Sequence, residues 1–226
     1  MTPLKIFIGF DKNEIAAYHV LSHSLLSRSS IPLSITPLNR DNLRGIYIRE
    51  RGPLESTDFS MSRFLVPYLS DYVGWSIFMD CDMLCLSDIA GLIPLIDEHK
   101  TVSCCQHDYV PRGTTKFLGA IQTLYAKKNW SSLMVFNNEK CQALTPEAVN
   151  TQSGMWLHQM HWADSIGSVP LEWNYLVDEN GQPDVNPKIL HFTLGTPCLP
   201  GYENCTFADL WHKEFKSMIS PTPLTT

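Results

Sequence analysis

At 226 residues, 44% hydrophobic and 18% charged, the chain has the composition of a globular protein with room for a sizeable core, not of a disordered one. A net charge of −6 excludes the broad basic footprint of a nucleic-acid-binding protein, leaving only a local cluster of Lys116, Lys127 and Lys128 to meet an anionic ligand or to serve as a solvated loop. Seven cysteines, an odd number without C-x-x-C spacing, argue against a disulfide framework or a zinc ribbon and for reduced core thiols in the cytoplasm.

In chain order, Lys5–Phe10 is a β-branched and aromatic run that predicts the first strand. Met1-Thr2-Pro3-Leu4-Lys5 passes straight into this short run, which stops at Asp11, a pattern that does not lead one to expect a secretory signal. Glu14–Ser27 carries Ile15, Tyr18, Leu21, Leu25 and Leu26 near helical spacing. Leu33–Leu38 predicts a second strand, which Pro37 pushes toward a sheet edge or a strand end. Met61–Leu69 predicts a helix kinked or ended near Pro67, and Trp75–Met79 a buried strand.

Ser87–Ile96 opens with Ser-Asp, a helix-start signal in which Asp88 is the cap. Thr101–Gln106 and Leu133–Phe136 read as strands, Thr151–Trp162 as a helix, and Leu190–Phe192 as part of the last strand. Glu203 and Asp209 read as solvated loop carboxylates, and the tail 217–226, with Pro221 and Pro223, is expected to fray. No stretch approaches the roughly 18 consecutive apolar residues of a membrane span. Strand–helix–strand alternation argues an α/β protein with a mostly parallel sheet, and the absence of repeats or linkers makes 1–226 one domain.

The chemistry concentrates at Asp80-Cys81-Asp82, directly after the buried strand. Carboxylates two residues apart on extended chain point the same way, about 6.6 Å apart along the backbone. At a strand end such a pair suits a divalent cation, and the cation a diphosphate. Ligands of open α/β sheets bind beyond the carboxyl ends of strands, where Asp11 and Asp80 fall and near which His191 lies. On residues alone, Asp11 is equally a helix cap and His191 a core histidine. His158, His161 and Asp164 share the predicted helix at i, i+3 and i+6, but the last lies well round it and the neighbouring Met155, Leu157 and Trp162 favour packing.

Ser62-Arg63-Phe64-x-x-Pro67, the strand, Asp80-Cys81-Asp82 and Ser87-Asp88-Ile89 together resemble glycosyltransferase family 8. Asn129 to Asn137, Leu171-Glu172-Trp173-Asn174 and His191-Phe192-Thr193-x-Gly195-x-Pro197 resemble further segments in the same order, so the resemblance runs from about residue 4 to about residue 200. It implies a GT-A fold, with a Rossmann-like, mixed but mostly parallel sheet flanked by helices. It implies a metal-dependent, retaining hexosyltransferase that moves a sugar from a nucleotide-diphosphate donor, most commonly a UDP-sugar, to a hydroxyl acceptor such as a glycan or lipid-linked glycan. Peripheral attachment to a membrane is compatible with that class of acceptor.

Carried over by residue, the resemblance implies Asp80, Asp82 and His191 as ligands of Mn²⁺, or of Mg²⁺ in its place. Phe10 and Asp11 match the segment that contacts base and ribose, Arg63 an arginine near the donor, and Trp173 and Asn174 a segment facing donor or acceptor. The family's diphosphate-gripping lysine is replaced by Thr196, with Cys198 after Pro197. Backbone amides around Gly195, or Lys116 or Lys188, are the expected substitutes. Gln152 and Asp164 are candidates for the family's D-Q motif beside the donor sugar. Two further readings stand beside the transferase. One is a non-catalytic nucleotide- or sugar-binding module. The other is a sugar nucleotidyltransferase, against which the single glycine of Phe7-Ile8-Gly9-Phe10-Asp11 counts.

Overall fold

The computed structural model describes residues 2–52, 55–108, 126–179 and 184–220, together with the backbone of 115–116 and 120–121. Strand β1 (Leu4–Phe10) leads into helix α1 (Ile15–Arg28) and strand β2 (Leu33–Asn39). A 3-10 turn (Ser62–Leu65) continues into α2 (Val66–Leu69), and β3 (Trp75–Met79) and β4 (Met83–Cys85) follow on either side of Asp80–Asp82. Next come β5 (Val102–Cys105), the short β6 (Thr115–Lys116) and β7 (Ala120–Ile121), β8 (Leu133–Asn137), and the short helices α3 (Pro146–Thr151) and α4 (Gly154–His158). Strands β9 (Ile166–Val169), β10 (Tyr175–Leu176) and β11 (Ile189–His191) precede the last helix, α5 (Ala208–Ile219).

The main sheet has the order β2-β1-β3-β8-β5-β9. Pairs β1–β2, β1–β3 and β5–β9 are parallel, whereas β8 runs antiparallel to both β3 and β5. Central strands are buried on both faces, which is why β3 and β8 read as continuous apolar runs without alternation. Strand β2 is an edge, and it tolerates Pro37 because only one side of it is paired. A smaller sheet, β10-β11-β4, starts where the chain leaves β3. The turn Asp80–Asp82 therefore bridges the two sheets, and its position follows from two strand pairings.

Helix α1 buries Ala17, Val20, Leu21, Ser24 and Leu25, one stripe at i, i+3, i+4, i+7 and i+8. The stripe is rotated from the one expected: Ile15 and Leu26 are exposed. Ser24 explains the rotation, because its hydroxyl donates to Leu21 O and accepts from Cys85 N at 3.0 Å, turning a polar residue toward β4. Helix α5 was not expected. Glu214 on its buried face meets His23 and Arg28 of α1, both at 2.6 Å, so Ser217–Ile219 form its last turn instead of a frayed tail. Asp209 lies in its first turn, exposed but helical. Residues 221–226 lie outside the described residues.

Of the helix expected over Thr151–Trp162 only α4 forms: α3, capped by Thr145, ends at Thr151, and Ser153 Oγ accepts from Trp156 N to start α4 afresh. His158 ends α4, His161 lies in a turn and Asp164 beyond it, so the three share no helical face. Around Pro67 the chain does not break but changes from 3-10 to α pitch, since proline fits a first helical turn. Ile89–Leu95 is a 3-10 helix capped by Asp88, whose carboxylate accepts from Ala90 N. All seven cysteines are free; five are buried, Cys205 is half-buried and Cys198 exposed. Among the described residues no helix is long and apolar enough to cross a membrane.

One close approach ties β1 to the loop in front of the cleft. A Cβ added to Gly9 would lie 2.4 Å from the ring of the buried Phe59. Gly9→Ala is expected to cost about 1–3 kcal/mol through overpacking, read as a lower urea midpoint at unchanged slope. A shift below about 0.5 kcal/mol would mean that the Phe59 loop moves aside freely.

Candidate metal and nucleotide site

Backbone pairing brings the candidate ligands together. Asp80 N donates to Ser132 O at 2.9 Å, which fixes the end of β3 against the turn before β8. Cys81 is buried and points inward, where its thiol donates to Glu14, so Asp80 and Asp82 face the other way. Strand β11 lies antiparallel to β4 with His191 opposite Met83, and Phe192 N donates to Asp82 O. One ligand atom from each of Asp80, Asp82 and His191 falls within 4.8 Å of the others.

The carboxylates of Asp80 and Asp82 are only 15% and 17% exposed, enough to reach a ligand yet shielded from bulk water. Asp82 Oδ1 is buried and accepts no hydrogen bond, and it faces His191 Nε2 at 3.2 Å. Two carboxylates and an imidazole form a donor set for an octahedral divalent ion with positions left for phosphate oxygens. These residues fit a metal.

Arg63 is the counter-charge on the protein side. Its guanidinium lies 2.7 Å from Asp80 Oδ1, donates to Ser60 O and Ser131 O, and sits over the rings of Phe59 and Phe78. It is buried, so it shapes the site from behind.

Glu14, just before α1, reaches the same region. Burial, then the charges of Asp82 and Asp11, push its carboxyl up to about 9 from an ordinary 4.5. The folded state therefore holds a proton that the unfolded chain loses. The contribution of Glu14 to the stability of the metal-free protein is full below about pH 4.5 and declines as pH rises toward 9. In EDTA, Glu14→Gln is expected to flatten that decline and to raise stability at pH 8 by at least about 1 kcal/mol. Urea unfolding across the pH range checks this; parallel curves for the two proteins would place Glu14 outside the coupled cluster.

Above these residues opens a cavity of about 550 Å³. Its walls include Arg49, Lys128, Ser131, His158, Gln159 and Gly195, as well as the acidic trio, Arg63 and Glu14. Lys128, from the local basic cluster, is buried in the wall, whereas Lys127 donates to Gln159 O. His158 Nδ1 and Ser131 Oγ lie 2.8 Å apart. His107, behind the site, is held neutral by burial and by the nearness of His191, its imidazole lowered to about 3.

Other expected residues fall elsewhere. Asp11 is fully buried and accepts from Asn13 and from Asp58 N, so its carboxylate organises two loops and does not line the cavity. Phe10 packs edge-on against Tyr18, away from the cavity wall. Gln152 and Asp164 are exposed and off the cavity. Trp173 is buried under Lys188, which pairs with Glu172 at 2.7 Å and does not reach the cleft. The side chain of Lys116 lies outside the described residues.

Gly195 does line the cavity, but its N–H donates to Phe192 O. Its contribution is shape: at φ +155 it packs where a Cβ would meet the Tyr202 ring at 2.6 Å. Thr196 is fully buried with its hydroxyl near Cys198 Sγ. Asn174, expected to face a substrate, is fully buried beside His191. Sequence reasoning passed over Glu14 and weighed His158 only with His161 and Asp164 on one helix, because only the cavity joins segments so distant in the chain.

Protein CDI of Arabidopsis thaliana is 49% identical to this chain over 224 residues, covering 95% of the chain and 86% of that protein. The chain belongs to the CDI family. No protein-family model matches it. Among solved structures, this CDI-family fold is similar to the bifunctional glycosyltransferase WbbM, with a TM-score of 0.63 at 14% identity over 98% of the chain. It is similar to the glycosyltransferase GlyE of Streptococcus pneumoniae, with a TM-score of 0.63 at 15% identity over 95% of the chain. The galactosyltransferase LgtC, solved with donor and acceptor sugar analogues, gives a TM-score of 0.58 at 10% identity, covering 97% of this chain and 98% of LgtC. The chain spans 50% of the WbbM chain and 60% of the GlyE chain. At these identities the likeness is one of fold, and the fold is GT-A.

Proposed function

We propose that this CDI-family chain is a single-domain, metal-dependent, retaining glycosyltransferase of family 8 type. Its donor on this reading is a nucleotide-diphosphate sugar, UDP-hexose being the leading candidate, and its acceptor a hydroxyl of a glycan or lipid-linked glycan. One observation carries the reading: Asp80, Asp82 and His191 converge within 4.8 Å at the floor of a 550 Å³ cavity, where strands of both sheets end. In this reading Asp80, Asp82 and His191 hold Mn²⁺, or Mg²⁺, whose charge offsets that developing on a nucleoside diphosphate leaving group.

The chain's own residues do the remaining work. Arg63 holds Asp80 in place through their 2.7 Å ion pair. Lys128 supplies the cavity-wall cation that Thr196 does not, and Gly195 keeps the wall open for the diphosphate. His158 and Gln159, which line the cavity, stand beside the donor sugar in place of Gln152 and Asp164, which do not. Unpaired buried thiols favour a reducing, cytoplasmic setting.

A second reading, a nucleotide-binding module without turnover, is favoured by Thr196 standing where the family's lysine would be. Calorimetric titration of UDP with and without Mn²⁺ tests the site, and release of free sugar from UDP-hexoses separates the two readings. Binding that requires Mn²⁺ supports both, and sugar release selects the transferase. UDP binding indifferent to metal, with no metal effect for other nucleotides, would sink the metal-diphosphate reading.

A further inference from the structure

A short polar relay runs behind the candidate metal ligands, and its hydrogen bonds have a definite sense. It starts at Asn129, a left-handed residue at φ 61 that opens the 3-10 turn Trp130–Ser132. The backbone carbonyl of Asn129 can only accept, and Ser132 Oγ lies 2.6 Å from it, so the hydroxyl proton of Ser132 points there. Ser132 Oγ is then left to accept, and the neighbour offering a proton is Asn174 Nδ2 at 2.8 Å. That turns Asn174 Oδ1 toward His191 Nδ1, at 2.9 Å.

An amide oxygen cannot donate, so Nδ1 of the neutral ring carries the proton and Nε2 keeps its lone pair. Nε2 is then the ring nitrogen that faces Asp82 Oδ1, 3.2 Å away.

We infer that Asn174 is a positioning residue that, through Ser132 and the Asn129 carbonyl, locks His191 in the Nδ1–H tautomer and so presents Nε2 as a preformed ligand beside Asp80 and Asp82. The inference deepens the metal reading proposed above and rests on it only for the purpose of the relay. Without the relay, the proton moves to Nε2 to satisfy Asp82, and a cation must first displace it. Outer-shell partners of ligating histidines act in this way, and their loss costs on the order of 10–100-fold in metal affinity.

Two measurements test it on the full chain, one without metal. Imidazole nitrogen NMR of the EDTA-treated protein at mildly alkaline pH reads the tautomer, and calorimetry with MnCl₂ alone reads affinity. Wild type is expected as Nδ1–H. Asn174→Ala is expected to move His191 toward Nε2–H and to weaken Mn²⁺ binding on the order of 10–100-fold. Ser132→Ala, which leaves the neighbour of His191 in place but frees the amide to turn over, is expected to give a tautomer mixture and an intermediate affinity. A purely structural role would lower the unfolding midpoint without moving the tautomer.

Wild type found as Nε2–H overturns the inference. So does an Asn174→Ala protein that stays Nδ1–H with wild-type affinity. If Asn174→Ala does not fold, the wild-type spectrum and Ser132→Ala decide. If the tautomers behave as stated but no protein binds Mn²⁺, the relay stands and the metal reading falls.

Discussion

Asp82→Asn is expected to weaken Mn²⁺-supported UDP binding by at least about 100-fold, since losing a ligand should exceed the 10–100-fold effect of losing an outer-shell partner. The same substitution should stabilise the metal-free protein. Asparagine keeps the shape of the side chain and removes a charge that crowds Glu14 and Asp80. Its amide can also donate to His191 Nε2, which Asp82 Oδ1 faces at 3.2 Å. A hydrogen bond where two acceptors met is worth about 0.5–1.5 kcal/mol. Urea unfolding in EDTA should therefore show a higher midpoint for Asp82→Asn, while calorimetry shows the loss of metal-dependent binding. Opposite signs in the two measurements are the signature of a site built for a cation. Unchanged Mn²⁺-dependent UDP binding would remove Asp82 from the site.

Arg63→Ala should be the most destabilising single change at the site, by about 3–5 kcal/mol, because it leaves the Asp80 carboxylate shielded from water without its counter-charge. It also strips donors from Ser60 O and Ser131 O, and uncovers the rings of Phe59 and Phe78. Lysine is not an adequate replacement, since a single ammonium cannot serve these carbonyls and stack at once. Saturating Mn²⁺ should narrow the gap to wild type, as a bound cation restores charge next to Asp80 and adds binding free energy to the folded state. A double-mutant cycle with Asp80→Asn isolates the pair. A cost below about 1 kcal/mol, or one that Mn²⁺ does not change, would show that Asp80 does not depend on Arg63.

Much of the scaffold could be read from local pattern. Strands β1, β3, β5 and β8 stand out because buried strands are runs of apolar and β-branched residues, the edge strand β2 because its apolar and polar residues alternate, and Asp88 as a cap follows from its place after a strand. Patterns failed where tertiary contacts overrode periodicity. Ser24 turned α1 because a backbone N–H of β4 needed an acceptor, and Ser153, as the cap of α4, delayed the start of the helix expected from Thr151. Helix α5 is not legible as a helix although Leu210, Trp211, Phe215 and Met218 recur at helical spacing, since Pro221 and Pro223 just beyond it give the segment the composition of a tail.

At the site, the residue types and the local doublet Asp80-x-Asp82 are legible in the chain, because a carboxylate pair at a strand end needs only two residues of spacing. Distance along the chain hides the rest. Asp11 and Asn174 have the residue types of ligand contacts, and only three-dimensional surroundings show both turned inward, one to cap loops and the other to orient an imidazole. His191 reaches Asp82 across 109 residues because β11 pairs with β4, and strand register is a property of the folded sheet. Burial decides the remainder, since the position of Glu14 near 9 depends on the water and charge around it and on nothing written at position 14.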